Sequence, residues 1–129
     1  MPVSGQTLSS SQINANRAVV DGFLNKLATR ISQANLSSIA NFGLYGAQFY
    51  DFGDLLDSSS WTSSRQIVIW LAATQGGTCS EIENAFCSLP SIGGYYPAIW
   101  QYSQNPDYDL SNYDSGINLG VWPVVTSPC

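Results

Sequence analysis

Arg17, Lys26 and Arg30 fall in a stretch where Ile13, Val20, Phe23, Leu24, Leu27, Ile31 and Ala34 recur at three- and four-residue spacing. That spacing predicts one amphipathic helix, with the cations on and beside its apolar stripe. Cations held in this way can neutralise phosphates. Amides and hydroxyls nearby, such as Asn14, Asn16, Ser32 and Gln33, can donate to phosphate oxygens. The chemistry on offer is a sequence-independent grip on a nucleic-acid backbone, with Arg17, Lys26, Arg30, Asn14 and Gln33 as the expected contacts. Three cations are few, and in an isolated subunit a solvated helix face explains them as well. In a polymer the lattice multiplies a few contacts per subunit.

Other chemistry is poorly supplied. The chain has no histidine, so a Ser or Cys nucleophile has no imidazole to activate it. Glu81 and Glu83 are two apart and point different ways on a helix. Asp54 and Asp57, three apart, could face one another, but such pairs usually serve as plain surface. Asp107, Asp109, Asn112 and Asp114 could supply oxygen ligands, yet their order matches no EF-hand loop. Asp51-Phe52-Gly53 spells a kinase magnesium motif without the loops that give it meaning. Gly76-Gly77 reads as a helix break, not an anion cradle, because no Lys follows. Asn35-Leu36-Ser37 has the form of a glycosylation sequon within a predicted helix. We expect no enzyme, metal, cofactor or small-molecule substrate.

Cys79, Cys87 and Cys129 fit no zinc spacing. On one continuous helix Cys79 and Cys87 would stand about 12 Å apart, too far to bridge. A disulfide from Cys129 back to Cys79 or Cys87 is feasible; three free, buried thiols are equally compatible. An intracellular disulfide is unusual outside hyperthermophiles.

The chain that must position these residues has 129 residues and is expected to form one domain. Its charge is segregated: Arg17, Lys26 and Arg30 against Asp21 give +2 up to residue 50, while Arg65 against eight acids gives −7 beyond, summing to −5. Only 10% of residues are charged, against roughly 25% in an ordinary soluble domain. Ser, Asn, Gln, Thr and Tyr supply the polar surface instead. Such groups cost less to desolvate than ions, and low charge removes the self-repulsion that keeps small proteins monomeric, so assembly is expected. The longest apolar run, 67–73, is far short of the ~20 residues of a membrane span. Residues 1–6 lack the charged and apolar regions of a secretory signal.

The pattern predicts an all-α fold of four to five helices in a small bundle. Residues 1–9 read as an extended arm, 10–104 as a helical domain, and 105–129 as an acidic, partly extended tail packed on it. Ser9 with Gln12 offers a capping box opening the first helix. A second, interrupted by Gly43 and Gly46 at roughly 1 kcal/mol each, is expected over 36–56. Those small residues could also let another backbone approach closely. A third is expected over 61–75, although its β-branched residues could make a buried strand. Thr78 with Glu81 opens a short helix ending before Leu89-Pro90, and Pro97 suits the first turn of a last one through Tyr102.

This outline resembles the major coat proteins of filamentous viruses of hyperthermophilic archaea. The matching parts are the polar arm 1–9, the basic helix 10–35, the apolar segment 61–75, and Tyr95-Tyr96-Pro97-Ala98-Ile99-Trp100 followed by Asn105-Pro106. The likeness spans most of the chain through architecture and composition. The net negative charge and the acidic, Trp-containing tail 107–129 depart from it. The resemblance implies an outer shell of packed helices, A-form-like DNA gripped by Arg17, Lys26 and Arg30, and cysteines paired in a hot environment. The expectation is a self-assembling virion coat subunit enclosing nucleic acid, double-stranded DNA foremost, in a helical filament assembled in the host cytoplasm. Its partners would be copies of itself or a paralogous coat subunit and the phosphate backbone, with an outer envelope compatible with both. The alternative is a cell-surface appendage subunit, or a helical protein-binding module, without nucleic acid.

Overall fold

The computed structural model describes residues 7–37, 42–73, 77–105, 108–113 and 124–128, with backbone alone at 79, 103–105 and 108–113. The fold is mixed α/β, which overturns the all-α expectation. Helix α1, Ser10–Gln33, is followed by strand β1, Gly43–Ala47, a π-helix, Gln48–Leu55, and a short 3-10 turn, Ser58–Ser60. Strand β2, Val68–Ala72, helix α2, Cys79–Phe86, and strands β3, Pro97–Asn105, and β4, Tyr108–Tyr113, complete it. The sheet runs β1-β2-β3-β4. Its first three strands are parallel and β4 is antiparallel to β3.

Both helices open where side chains satisfy their first N–H groups. Ser9 accepts from the Gln12 amide while the Gln12 side chain accepts from Ser9, and Thr78 and Glu81 form the same box at α2. The end of α1 is a Schellman turn: Leu36 N donates to Ile31 O and Asn35 N to Ser32 O, with Asn35 left-handed at φ +58°. The exposed sequon Asn35-Leu36-Ser37 therefore lies just past the helix rather than in it.

Of the helix expected over 36–56, Gly43–Ala47 is a strand and Gln48–Leu55 is helical, as a π-helix, while the helices expected over 61–75 and 97–102 give way to strands Val68–Ala72 and Pro97–Asn105; 38–41 and 74–75 lie outside the described residues. The apolar run 67–73 misleads because both faces of this parallel strand carry apolar side chains, Trp70 included though it is 41% exposed, so no polar alternation marks the strand. Ile67, Ile69 and Leu71 pack with Leu24 of α1 and with Phe52, Leu56, Trp61 and Ile92 on one side. Val68 packs with Ala98, Val124 and Val125 on the other. The glycine at position 43 lies so close to the Val68 carbonyl that a Cβ there would clash with it. Gly43 thus admits a neighbouring backbone, but a strand's; Ala40 lies outside the described residues. Pro97 opens β3, a place a strand allows as readily as a helix's first turn does. Residues 108–113, expected in an irregular tail, form β4, and Tyr96 N bonds Val125 O to hold the last described segment on the sheet.

Two polar contacts tie the strands, while the indole N–H of Trp61 is buried in the core with no hydrogen-bond partner among the described residues. Trp100 Nε1 donates to Ala73 O at 2.8 Å, and Tyr45 Oη donates to Oε1 of the buried Gln101 at 2.8 Å. The Tyr45 ring meets Trp70 edge-on, centroids 5.2 Å apart. Among the described residues no helix is long and apolar enough to cross a membrane.

Candidate functional site

Helix α1 has two polar faces with different fates. One is a seam of Arg17, Asp21 and Asn25 beside the buried Leu24, and with Asn16 from the other edge of the stripe it holds the connection between β1 and β2. Arg17 Nε donates to Leu56 O at 2.7 Å, and its Nη2 donates to Asp57 O at 2.8 Å and Ser60 Oγ at 2.7 Å. The same guanidinium lies 3.5 Å from the Asp57 carboxylate. Asn16 Nδ2 donates to Leu55 O. Asp21 accepts from the amide and hydroxyl of Ser64, and Arg65 Nε donates to Asn25 Oδ1 at 2.6 Å.

This clamp explains a strained residue. Asp57 is left-handed at φ +44°, which a short polar side chain tolerates when it bonds locally. Its carboxylate accepts from Ser60 Oγ at 2.7 Å and Ser59 Oγ at 2.9 Å. Those two bonds, and then the Arg17 charge, hold its pKa below the ordinary aspartate value. Glu81 is held low by the Thr78 amide and then by the Thr78 hydroxyl.

The opposite face of α1 points outward. At about 3.6 residues per turn, Val19, Phe23, Lys26 and Arg30 line up on it. All four are exposed, and Val19 and Phe23 show 72% and 58% of their surface. Gln33 falls on this side; Asn14, also exposed, lies away from it. Of the five expected phosphate contacts, Lys26, Arg30 and Gln33 therefore share a side. Arg17 is committed to the chain's own carbonyls, and Asn14 faces elsewhere.

The outward stripe continues onto neighbouring elements. Val19 borders a groove shared with Tyr45, Asp51 and Leu55, and Tyr50 stands beside Gln12 and Ala15 of α1. Tyr45 also lines a groove on the far side of the sheet with Val68, Trp70 and Ile99. Tyr45 and Phe49 expose 61% and 77% of their surface. At the open edge of the sheet, the Asp51 carboxylate accepts from Ala47 N at 2.7 Å, which blunts the end of an edge strand.

The remaining candidates resolve individually. Within Asp51-Phe52-Gly53 the acid caps a strand amide and the Phe is core. Asp57 and Glu81, one member of each carboxylate pair weighed above, are engaged in a turn and a helix cap. Asp107 and Asp114 lie outside the described residues, as do the side chains of Asp109 and Asn112. Among the described residues no group of three or more His, Cys, Asp and Glu could hold a metal. Cys87 is disulfide-bonded. The side chain of Cys79 and all of Cys129 lie outside the described residues. The unbroken course of α2 from Cys79 to Phe86 excludes Cys79 as the partner, since bridged Cα atoms stand at most about 7 Å apart.

Sequence reasoning missed the seam. Its signal was the i, i+4, i+8 row Arg17, Asp21, Asn25, polar residues bordering an apolar stripe, which equally fits a solvated face. Comparison with known protein families, with curated proteins and with solved structures finds no match.

Proposed function

We propose that this chain is a non-enzymatic structural subunit that self-assembles. The observation that carries the reading is the exposed apolar pair Val19 and Phe23, about one turn apart on α1, with Phe49 exposed on the adjoining π-helix. Single exposed apolar side chains are ordinary, whereas a run of them across adjoining elements marks a contact surface. A surface sparse in charge favours burying that tract against further protein. Sedimentation velocity over a concentration series, with negative-stain microscopy, tests it: oligomers or filaments are expected, and a monomer at every concentration sinks it.

A second reading adds nucleic acid, making the subunit a virion coat protein in place of a cell-surface appendage. Lys26 and Arg30 favour it, because they stand one turn apart, exposed and without a bonding partner among the described residues. Arg17 no longer contributes, and the helical-bundle shell implied by the resemblance does not carry over to a mixed α/β fold. Assembled material with an absorbance excess at the nucleic-acid maximum is the expected sign of a coat protein. A pure protein spectrum leaves the appendage.

A further inference from the structure

The outward tract is charged oppositely at its two ends. Lys26 and Arg30 lie toward the C-terminal end of α1, past Val19 and Phe23. The π-helix sits against the other half of the same helix, where Asn16 bonds Leu55 O and Tyr50 neighbours Gln12 and Ala15. Asp54 is exposed there, about one π-helical turn from the exposed Phe49. Asp54, Lys26 and Arg30 have no bonding partner among the described residues. From Asn16 to Lys26 and Arg30 is a rise of about 15–21 Å along the helix. Acid, apolar middle and base thus follow one another along α1, the acid on the π-helix beside its N-terminal half.

A surface with that order is complementary to itself when a second copy is turned end for end. A two-fold axis through the middle sets the Val19–Phe23 tracts against each other and brings Lys26 and Arg30 of each copy to Asp54 of the other. We propose that a second copy of this chain covers the outward face of α1 in this antiparallel, two-fold manner. The proposal rests on the self-assembly reading and names its first contact. Lys26 and Arg30 then pair with protein, not with phosphate.

Charge reversal tests this directly. Lys26→Glu/Arg30→Glu makes both ends acidic, and Asp54→Lys makes both ends basic, with neither change touching a bonded side chain. Thermal melts confirm folding, and sedimentation equilibrium in low salt reads association. Each variant alone is expected to associate at least tenfold more weakly than the wild type. An equimolar mixture is expected to recover most of the loss, because both contacts in the mixed pair are again between opposite charges. If the wild type associates but the variants match it, or the mixture recovers nothing, the two-fold pairing is overturned while self-assembly stands. If the wild type is a monomer throughout, both fall. Loss of binding to a fluorescent DNA duplex in Lys26→Glu/Arg30→Glu, with no change in Asp54→Lys and no recovery on mixing, assigns the cations to nucleic acid and also overturns the pairing.

Discussion

Two faces of α1 carry the same residue types and use them in opposite ways. On the seam, Arg17 reaches two main-chain carbonyls, a hydroxyl and a carboxylate of the connection between β1 and β2. On the outward face, Arg30 and Lys26 reach nothing described. The difference lies in what stands opposite. The end of the π-helix leaves Leu56 O without an intrahelical partner, and a planar guanidinium with five donors can satisfy it while also reaching Asp57 O and Ser60 Oγ. Where no backbone faces the helix, a cation of the same kind stays available for a partner. A basic residue on an amphipathic helix therefore says little about a ligand until the opposing surface is known.

The sharpest way to break the comparison is at Phe23 and Leu24, adjacent in sequence and on opposite faces. Leu24 has no exposed surface and packs with Ile67, Ile69 and Leu71. Leu24→Ala is expected to lower unfolding stability by about 2–5 kcal/mol. Phe23→Ala should leave the monomer's stability almost unchanged and weaken self-association, as read by urea unfolding beside sedimentation. Equal losses of stability would show that the outward face is part of the core.

Arg17→Ala comes next, at about 2–3 kcal/mol, because it leaves carbonyls of Leu56 and Asp57 without their charged donor. Arg17→Lys should restore little, since an ammonium cannot span both acceptors. Lys26→Ala and Arg30→Ala are expected to stay within about 0.5 kcal/mol of the wild type. A stability loss at Lys26 or Arg30 matching that at Arg17 would erase the distinction between the faces.

A smaller loss, about 1 kcal/mol, is expected for Asn25→Ala, which removes the acceptor for Arg65 at the exposed end of the seam. Chemical denaturation resolves it, and an unchanged midpoint would place the seam's strength in Arg17 alone.

The smallest effect is on pH. The Asp57 carboxyl is held low in the folded chain by Ser60, Ser59 and Arg17. A group with a depressed folded pKa adds stability that is complete above its unfolded value and lost as pH falls through the folded one. Stability should therefore decline as the pH drops below the ordinary aspartate range, and Asp57→Asn should flatten part of that decline. A wild type and Asp57→Asn with parallel acid profiles would remove Asp57 from the account.

The local features of α1 and α2 are legible in the chain without its fold, for reasons internal to a few residues. Ser9 with Gln12 and Thr78 with Glu81 bond within one turn, and the apolar spacing of α1 requires one buried face wherever the core lies. The scarcity of charge and the absence of a histidine base are equally legible. The identity of 67–73 as a strand was decided by tertiary structure. A run that is apolar on both sides has no period to read, and only pairing with β1 and β3 distinguishes it from a helix. Tertiary structure likewise decided which cations remain outside. Periodicity places Arg17 at the edge of the stripe, but nothing local to Arg17 reveals that the carbonyls of Leu56 and Asp57, some forty residues later, will lie against it.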